Sequence, residues 1–546
     1  MLRAPALFKN LIQKWKDEPL LVVAVLLALL VRVIFWVYTH RVWEDALISI
    51  TPARNFWLGH GLTHHLSEPR IHSFTSPLSV LIPLVGESVG GGLFFLRVSS
   101  LAAAAGAMVF AHRIAEFLKV HWTVEIFLLG YLAFDQLQIF FGMSGMETEI
   151  ATAILMANVF YLLTRQWTKL GACCGLAMLA RPESIIWLAI VGCSILVIER
   201  AAIWRWATRV TLVYGPWVLF ATFYYGSPIP HTIVAKSFYN GGVTHWITFH
   251  QLWVSLSGLW TSVAPFAQYF FTYRTPFPDF FLQLVSLLFF LLFLSGFWGA
   301  VRTKSPLIGV GAFVVLFFAY RIQAQIPTYF MWYLPPVTAL AAILVMVGLE
   351  QLRTSLPRPA AALSFTLALA YAIHIPFTFP LERRIQRKVE MGVRWKVGRY
   401  LDNVMTRDDA VVLETLGYIG FAAFNKTTYD YPGLSSKVVT DTLQSLPPGQ
   451  RYMNGMLAKL RPKYAALRDV ELEAFRNSYP LVFREYSVAA VFTVAPGLDL
   501  RCGGVEFVSV DWKFTVLRAS VDERFFGEHR LPACSFRQPA EMRRVT

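Results

Sequence analysis

The chain is short of charge. Only 15% of its 546 residues are Asp, Glu, Lys or Arg, where a soluble domain carries about 25%. That deficit excludes an ordinary soluble enzyme, a disordered chain and a coiled coil. Cysteine is scarce as well, and five residues are too few for a disulfide framework. Cys173, Cys174 and Cys193 fall in apolar runs. For Cys502 and Cys534, a disulfide outside the cytosol and two separate thiols both stay open. Acids are outnumbered, 34 against 49 bases, which leaves a net charge of +15. Internal repeats and low-complexity tracts are missing.

What the chain has is apolar mass: 56% hydrophobic residues, 15% aromatic, and a mean hydropathy of +0.50. A transmembrane helix needs about 20 mostly apolar residues. Residues 19–38 fit, with Lys9, Lys14 and Lys16 before them and no small-residue cleavage site after them. They read as an uncleaved anchor with a cytoplasmic N-terminus. Arg32 interrupts this run and reads as a side chain snorkelling to the headgroups. Further apolar segments at about 93–112, 122–141, 148–164, 169–181, 184–198, 206–224, 279–300, 306–320, 331–350 and 359–380 bring the total to about eleven spans. The short segment at 169–181 also admits a partial hairpin.

Charge sets the orientation. Loops placed inside by this parity hold Arg113 and Lys119; Arg165 and Lys169; Arg200, Arg205 and Arg209; Arg302 and Lys304; and Arg353 and Arg358. Short basic inner loops follow the positive-inside rule. The outer connections are then about 39–92, 142–147, 225–278 and 321–330, and residues 77–85 read as a helix half-buried at the outer surface. Two domains are expected: residues 1–380 as a membrane domain and 381–546 as a soluble extracytoplasmic α/β or α+β domain. In the latter, 410–413, 488–494 and 505–510 read as strands and 388–403 and 468–476 as helices. Arg383, Arg384, Arg387 and Lys388 oppose this placement, since such clusters prefer the cytosol. Anionic headgroups at the outer surface would accommodate them.

The few acids outside the tail include an adjacent pair, Glu44 and Asp45, just past the first span. Neighbours on a helix point about 100° apart, so they need not share a target. Near a low-dielectric boundary, one carboxylate should have a raised pKa, which suits proton abstraction from a hydroxyl. A solvated acidic helix start is the plainer alternative. Glu147, a further candidate for substrate contact, stands at another helix start on the same side, where capping would also explain it. Arg54, Lys236 and Arg321 are candidates for phosphate, and His72, His231, Tyr329 and Tyr333 for substrate. An interfacial belt explains the aromatics equally well. Arg181-Pro182-Glu183 sits between apolar segments and reads as an internal pair or a lipid-carrier contact. The histidines lack metal-ligand spacing, so no metal site is expected.

Several stretches also resemble a known group. The run Glu44-Asp45-Ala46-Leu47-Ile48-Ser49, with Ala53-Arg54-Asn55, Gly59-His60-Gly61-Leu62 and Phe74-Thr75-Ser76-Pro77-Leu78, resembles the first periplasmic loop of bacterial GT-C glycosyltransferases. It is most similar there to arabinofuranosyltransferase-like members. Ser144-Gly145-Met146-Glu147-Thr148, Arg181-Pro182-Glu183, Tyr225-Gly226-Ser227-Pro228-Ile229-Pro230-His231-Thr232 with Ala235-Lys236, Glu414-Thr415-Leu416-Gly417-Tyr418-Ile419-Gly420 and Asp430-Tyr431-Pro432-Gly433-Leu434 follow in the same order. Related loops more often carry two aspartates, so Glu44 is a departure, as are Thr51-Pro52 and His72. The resemblance implies a polytopic bacterial inner-membrane enzyme. Such an enzyme transfers a sugar from a polyprenyl-phosphate donor, with inversion, to an envelope glycan, lipid or protein acceptor on the outer face. It implies that the acid pair carries the base. No cofactor is required by the sequence, although some GT-C enzymes use a divalent metal, and nucleic acid is not an expected partner. The rival expectations are a polyprenyl-linked glycan flippase and a non-catalytic sugar-binding membrane subunit.

Overall fold

The computed structural model describes residues 18–239, 248–253, 279–324, 326, 330–494 and 510–520. The basic N-terminus, Tyr329, Cys502, Cys534 and nearly all of the expected strand at 505–510 lie outside the described residues.

Helices occupy all eleven apolar segments, beginning with Pro19–Thr39 and ending with Pro357–Ala372. Among the described residues, six helical stretches are long and apolar enough to cross a membrane by themselves. Leu334–Ser355 runs through the centre of the bundle, with Ala339 to Met346 fully buried. Close packing there rests on small residues, as helix association in lipid requires. At Gly348 and Gly296 an added Cβ would collide with the carbonyls of Leu292 and Leu344 on the facing helix. The segment at 122–141 is two helices, Trp122–Phe134 and Gln136–Met143. Asp135 breaks it: its side chain accepts the backbone N–H of Gln138 at 2.9 Å and so caps the second helix.

Arg32 departs from its expected position. It is fully buried, not at the headgroups. Its guanidinium meets Glu149 at 2.8 Å and donates to the carbonyls of Leu132 and Ala133, both at 3.0 Å. A carboxylate on a neighbouring helix, 117 residues away in sequence, overrides the local tendency to snorkel.

Among the described residues, several bundle helices are short: Thr148–Leu163, Trp167–Ala180, Ser184–Ile198 and Ile308–Gln323. Trp167–Ala180 and Ser184–Ile198 have 14 and 15 residues. At 1.5 Å per residue each spans only about 21–23 Å, less than the roughly 30 Å hydrocarbon core. The turn that joins them, Arg181-Pro182-Glu183, is thereby held inside the bundle. Residues 78–87 form the expected short helix, Leu78–Glu87.

The last span continues through Ile375–Ile385, a π-helical stretch Gln386–Arg394 and Trp395–Val404 into the C-terminal region. That region is α/β. It is built on strands β1 (Ala410–Leu413), β2 (Thr427–Asp430), β3 (Tyr464–Arg468), β4 (Tyr486–Thr493) and β5 (Lys513–Ala519). The order is β2-β1-β3-β5-β4. β2, β1 and β3 are parallel, and β5 is antiparallel to both β3 and β4. Helices Leu416–Ala422, Lys437–Ser445, Met453–Leu460 and Asp469–Ser478 accompany the sheet.

Candidate active site

One cavity of about 520 Å³ lies where the membrane bundle meets the C-terminal domain. Both members of the acid pair line it. They stand in the first turn of Glu44–Trp57, where the positive end of the helix favours carboxylates.

The two acids face different partners. Asp45 looks toward the bundle. Burial pushes its carboxyl up to about 6; Lys236 opposes that, Glu147 adds to it, and Arg181 and a hydrogen bond from Trp43 oppose it. Lys236 donates to the Tyr333 hydroxyl at 3.5 Å. Arg181 is more committed. It contacts Glu147 at 3.0 Å and Glu183 at 3.7 Å, donates to the Trp332 carbonyl at 3.2 Å, and lies 5.4 Å from the centre of the Tyr333 ring. The short helices of the bundle place these groups, because Glu147 precedes one and Arg181 follows another.

Glu44 belongs to the other wall. Its carboxylate meets Arg394 at 2.8 Å, and Arg394 also holds Glu390 at 2.9 Å and Asp511. Burial raises the Glu44 carboxyl to about 8, against the pull of Arg394 and with repulsion from Glu414, Asp511 and Asp45. Arg468 bridges Glu414 at 3.0 Å and also pairs with Glu471 and Asp511. The adjacent carboxylates are thus split by environment.

The C-terminal domain presents the carboxyl ends of its parallel strands to the cavity. Residues just after β1 (Glu414, Thr415, Leu416) and β2 (Tyr431, Pro432, Leu434), and those at and just after the end of β3 (Arg468, Val470, Glu471), all line it. In parallel sheets, ligands bind outside the carboxyl ends of strands where the order reverses, here between β1 and β3.

Contact between the domains is close. The Tyr418 hydroxyl donates to the Val42 carbonyl at 3.0 Å. At Gly417 a Cβ would fall 2.5 Å from the main-chain oxygen of Glu44. Gly417→Ala therefore forces the helix bearing the acids away from the domain. We expect a loss of about 1–3 kcal/mol, read as a lower unfolding midpoint of the purified protein.

A crystal structure of ArnT from Cupriavidus metallidurans bound to undecaprenyl phosphate superposes with a TM-score of 0.54, covering 92% of this chain and 98% of that one at 13% sequence identity. The chain has the GT-C membrane fold. The same protein in its apo state gives a TM-score of 0.42 over 93% of this chain and 99% of that one, at 14% identity. A family model described as a domain of unknown function, DUF8728, matches residues 382–512. No curated protein sequence matches the chain.

On this GT-C frame the expected site residues separate into two groups. Glu44, Asp45, Glu147, Lys236 and Tyr333 come together around the cavity, along with Arg181. Arg54 does not join its wall. Its guanidinium lies 4.1 Å from the Phe424 ring centre and 5.6 Å from that of Phe421, at the domain contact. Arg321 is buried beside Phe318 and is also not in the wall. His72 stacks on Tyr225 at 5.2 Å and packs against Phe74 at 4.7 Å. Burial holds it down to about 4, so it is neutral at pH 7. His231 reaches the C-terminal domain: its Nε2 lies 3.3 Å from the Thr440 hydroxyl.

The sequence reading did not single out Arg41, Glu390, Arg394, Arg468, Glu471 or Asp511 for this site. A faint signal existed for one strip. Glu382, Gln386, Glu390 and Arg394 recur every fourth residue, and the first three hold Arg41. Nothing in the sequence links them to Arg41.

Proposed function

We propose that the protein is an inverting glycosyltransferase that uses a polyprenyl-phosphate sugar on the outer face of a bacterial inner membrane. The observation that carries this reading is the division of the acid pair. Asp45 shares the cavity with Lys236 and Tyr333, while Glu44 is held by Arg394 on the opposite wall. The GT-C fold and the undecaprenyl phosphate bound by ArnT support the class of donor. The motifs of the first loop favour arabinofuranose as the sugar.

In the proposed reaction, Asp45 removes the proton of an acceptor hydroxyl. The acceptor oxygen attacks the anomeric carbon, the bond from that carbon to the phosphate oxygen breaks, and polyprenyl phosphate departs with the bonding electrons. Positive charge develops on the sugar ring and negative charge on the phosphate. Lys236, with the Tyr333 hydroxyl beside it, stabilises the phosphate. Arg181 is engaged by Glu147 and Glu183 and positions that wall. Glu44 is a positioning residue, set by Arg394. The envelope glycan, lipid or protein acceptor approaches along the strand ends that carry Glu414 and Arg468.

Purified protein is incubated with labelled undecaprenyl-phosphate sugars and an envelope extract as acceptor source. An enzyme releases undecaprenyl phosphate when the acceptor is present. Retention of intact donor would identify a sugar-binding subunit, and movement across vesicles without release would identify a flippase. Lys236→Met should weaken undecaprenyl phosphate binding by about 10- to 100-fold, the worth of a hydrogen bond to a charged group. Equal affinity in a direct binding titration would remove Lys236 from the donor site.

A further inference from the structure

A second charged depression lies outside the cavity just described. It has a volume of about 650 Å³ and is lined by Tyr38, Pro380, Arg383, Arg384, Arg387 and Lys388. Four of the six are cations and none is an acid. Arg384, Arg387 and Lys388 are exposed. Among the described residues, none of the four cations has a carboxylate partner. Arg383 lies 4.6 Å from the centre of the Tyr38 ring.

Its place in the fold is specific. Tyr38 ends the first span, and Arg41 and Trp43, a few residues on, line the large cavity. The depression is therefore at the same end of the bundle. Two helices form it, Pro19–Thr39 and Ile375–Ile385 with its continuation, joined by an edge-to-face contact of Phe35 with Phe379 at 4.9 Å. Both carry apolar stripes that lead up to the cations. Leu30, Ile34 and Val37 are exposed on the first helix at steps of three and four, which keeps them on one face. On the second, Phe377, 69% exposed, precedes Pro380 and Arg384 by three and seven residues, and Ile373, 47% exposed, lies in the turn just before the helix.

The opposite face of the second helix explains the chemistry. Glu382, Gln386, Glu390 and Arg394 point inward and are satisfied by Arg41, Glu44 and Asp511. The inward acids are thus already taken, and the outward cations are left for something else. A soluble anion would not need the apolar approach. An acidic peptide would not need a site at the end of membrane spans. An amphiphile that offers a phosphate above two acyl chains meets both features.

We infer that this depression binds the headgroup of an anionic phospholipid, with the acyl chains against Ile34, Val37, Ile373 and Phe377. A basic cluster at this end of the bundle also runs against the positive-inside rule, and a resident acidic lipid gives it a counter-charge.

The test uses the full chain, purified in mild detergent and offered equal amounts of phosphatidylglycerol and phosphatidylcholine. Native mass spectrometry counts the lipids retained. The wild type should keep phosphatidylglycerol in at least fivefold excess, about what one cation near a surface contributes. The triple variant Arg384→Gln, Arg387→Gln, Lys388→Gln should bring the two lipids to parity while unfolding at the wild-type temperature. All three residues are exposed and none is in the large cavity, so undecaprenyl phosphate binding that depends on Lys236 should be unchanged. Parity in the wild type, or an excess that survives in the triple variant, overturns the inference. So does retention of undecaprenyl phosphate at this site in place of phosphatidylglycerol.

Discussion

Asp45→Asn is expected to lower kcat by about 10²- to 10⁴-fold, the usual contribution of a positioned base, with the unfolding temperature unchanged. The amide keeps the size and the hydrogen bond to Trp43 but cannot take a proton. Glu44→Gln should act differently, because it removes an ion pair with Arg394 and leaves Arg394 its bonds to Glu390 and Asp511. Its effect on kcat should be smaller and accompanied by a lower unfolding temperature. The pH profile separates the two carboxylates further. As the proposed base, Asp45 would work as the carboxylate, and burial places its pKa at about 6. The reactive form is then roughly a tenth of the population at pH 5 and about nine tenths at pH 7, so kcat/KM should rise with pH through about 6 and level off above it. Glu44, raised to about 8, would instead give a rise centred near pH 8 if it were the base. Full activity in Asp45→Asn, or a rise near pH 8 that Glu44→Gln abolishes, would transfer the role to Glu44.

The split between these acids shows where sequence reasoning stops. The pair itself was legible, as were the apolar segments, because both are local: adjacency for the first, about 20 apolar residues for the second. The GT-C fold was legible from ordered motifs, two of which the structure explains. Gly417, in the Glu414-to-Gly420 stretch, is where the domain touches the main chain of Glu44, and Gly145 has a positive φ of 96° beside Ala46. Illegible were the partners. Arg394 and Asp511 act on Glu44 from positions more than 340 residues away, and no periodicity connects them. The misplacement of Arg32 has the same cause, since its fate depends on Glu149. Arg54 and His72 were singled out as residue types that suit phosphate and sugar. Their neighbours, Phe424 for one and Tyr225, Phe74 and Trp217 for the other, are aromatic rings that only folding brings to them.

Arg32→Met should be the most destabilising single change in the membrane bundle that leaves volume nearly intact. It strands the Glu149 carboxylate, 1% exposed, in the interior of the bundle, away from bulk solvent. Breaking one side of a buried ion pair costs about 3–5 kcal/mol, whereas replacing both sides with apolar residues is often neutral. The double variant Arg32→Met, Glu149→Leu should therefore recover most of the unfolding temperature lost in Arg32→Met. Additive losses in the double variant would mean that the two side chains stabilise the bundle separately. The consequence reaches the cavity. Glu149 lies in the first turn of Thr148–Leu163, two residues from the Glu147 that holds Arg181. An unpaired Glu149 draws water or a proton to that helix start and loosens the wall opposite Asp45. Arg32→Met should accordingly lose sugar transfer at temperatures well below its unfolding midpoint, and the double variant should regain it. If stability returned in the double variant and activity did not, the Arg32–Glu149 pair would be acting on the cavity through its charge and not only through the rigidity of the helix.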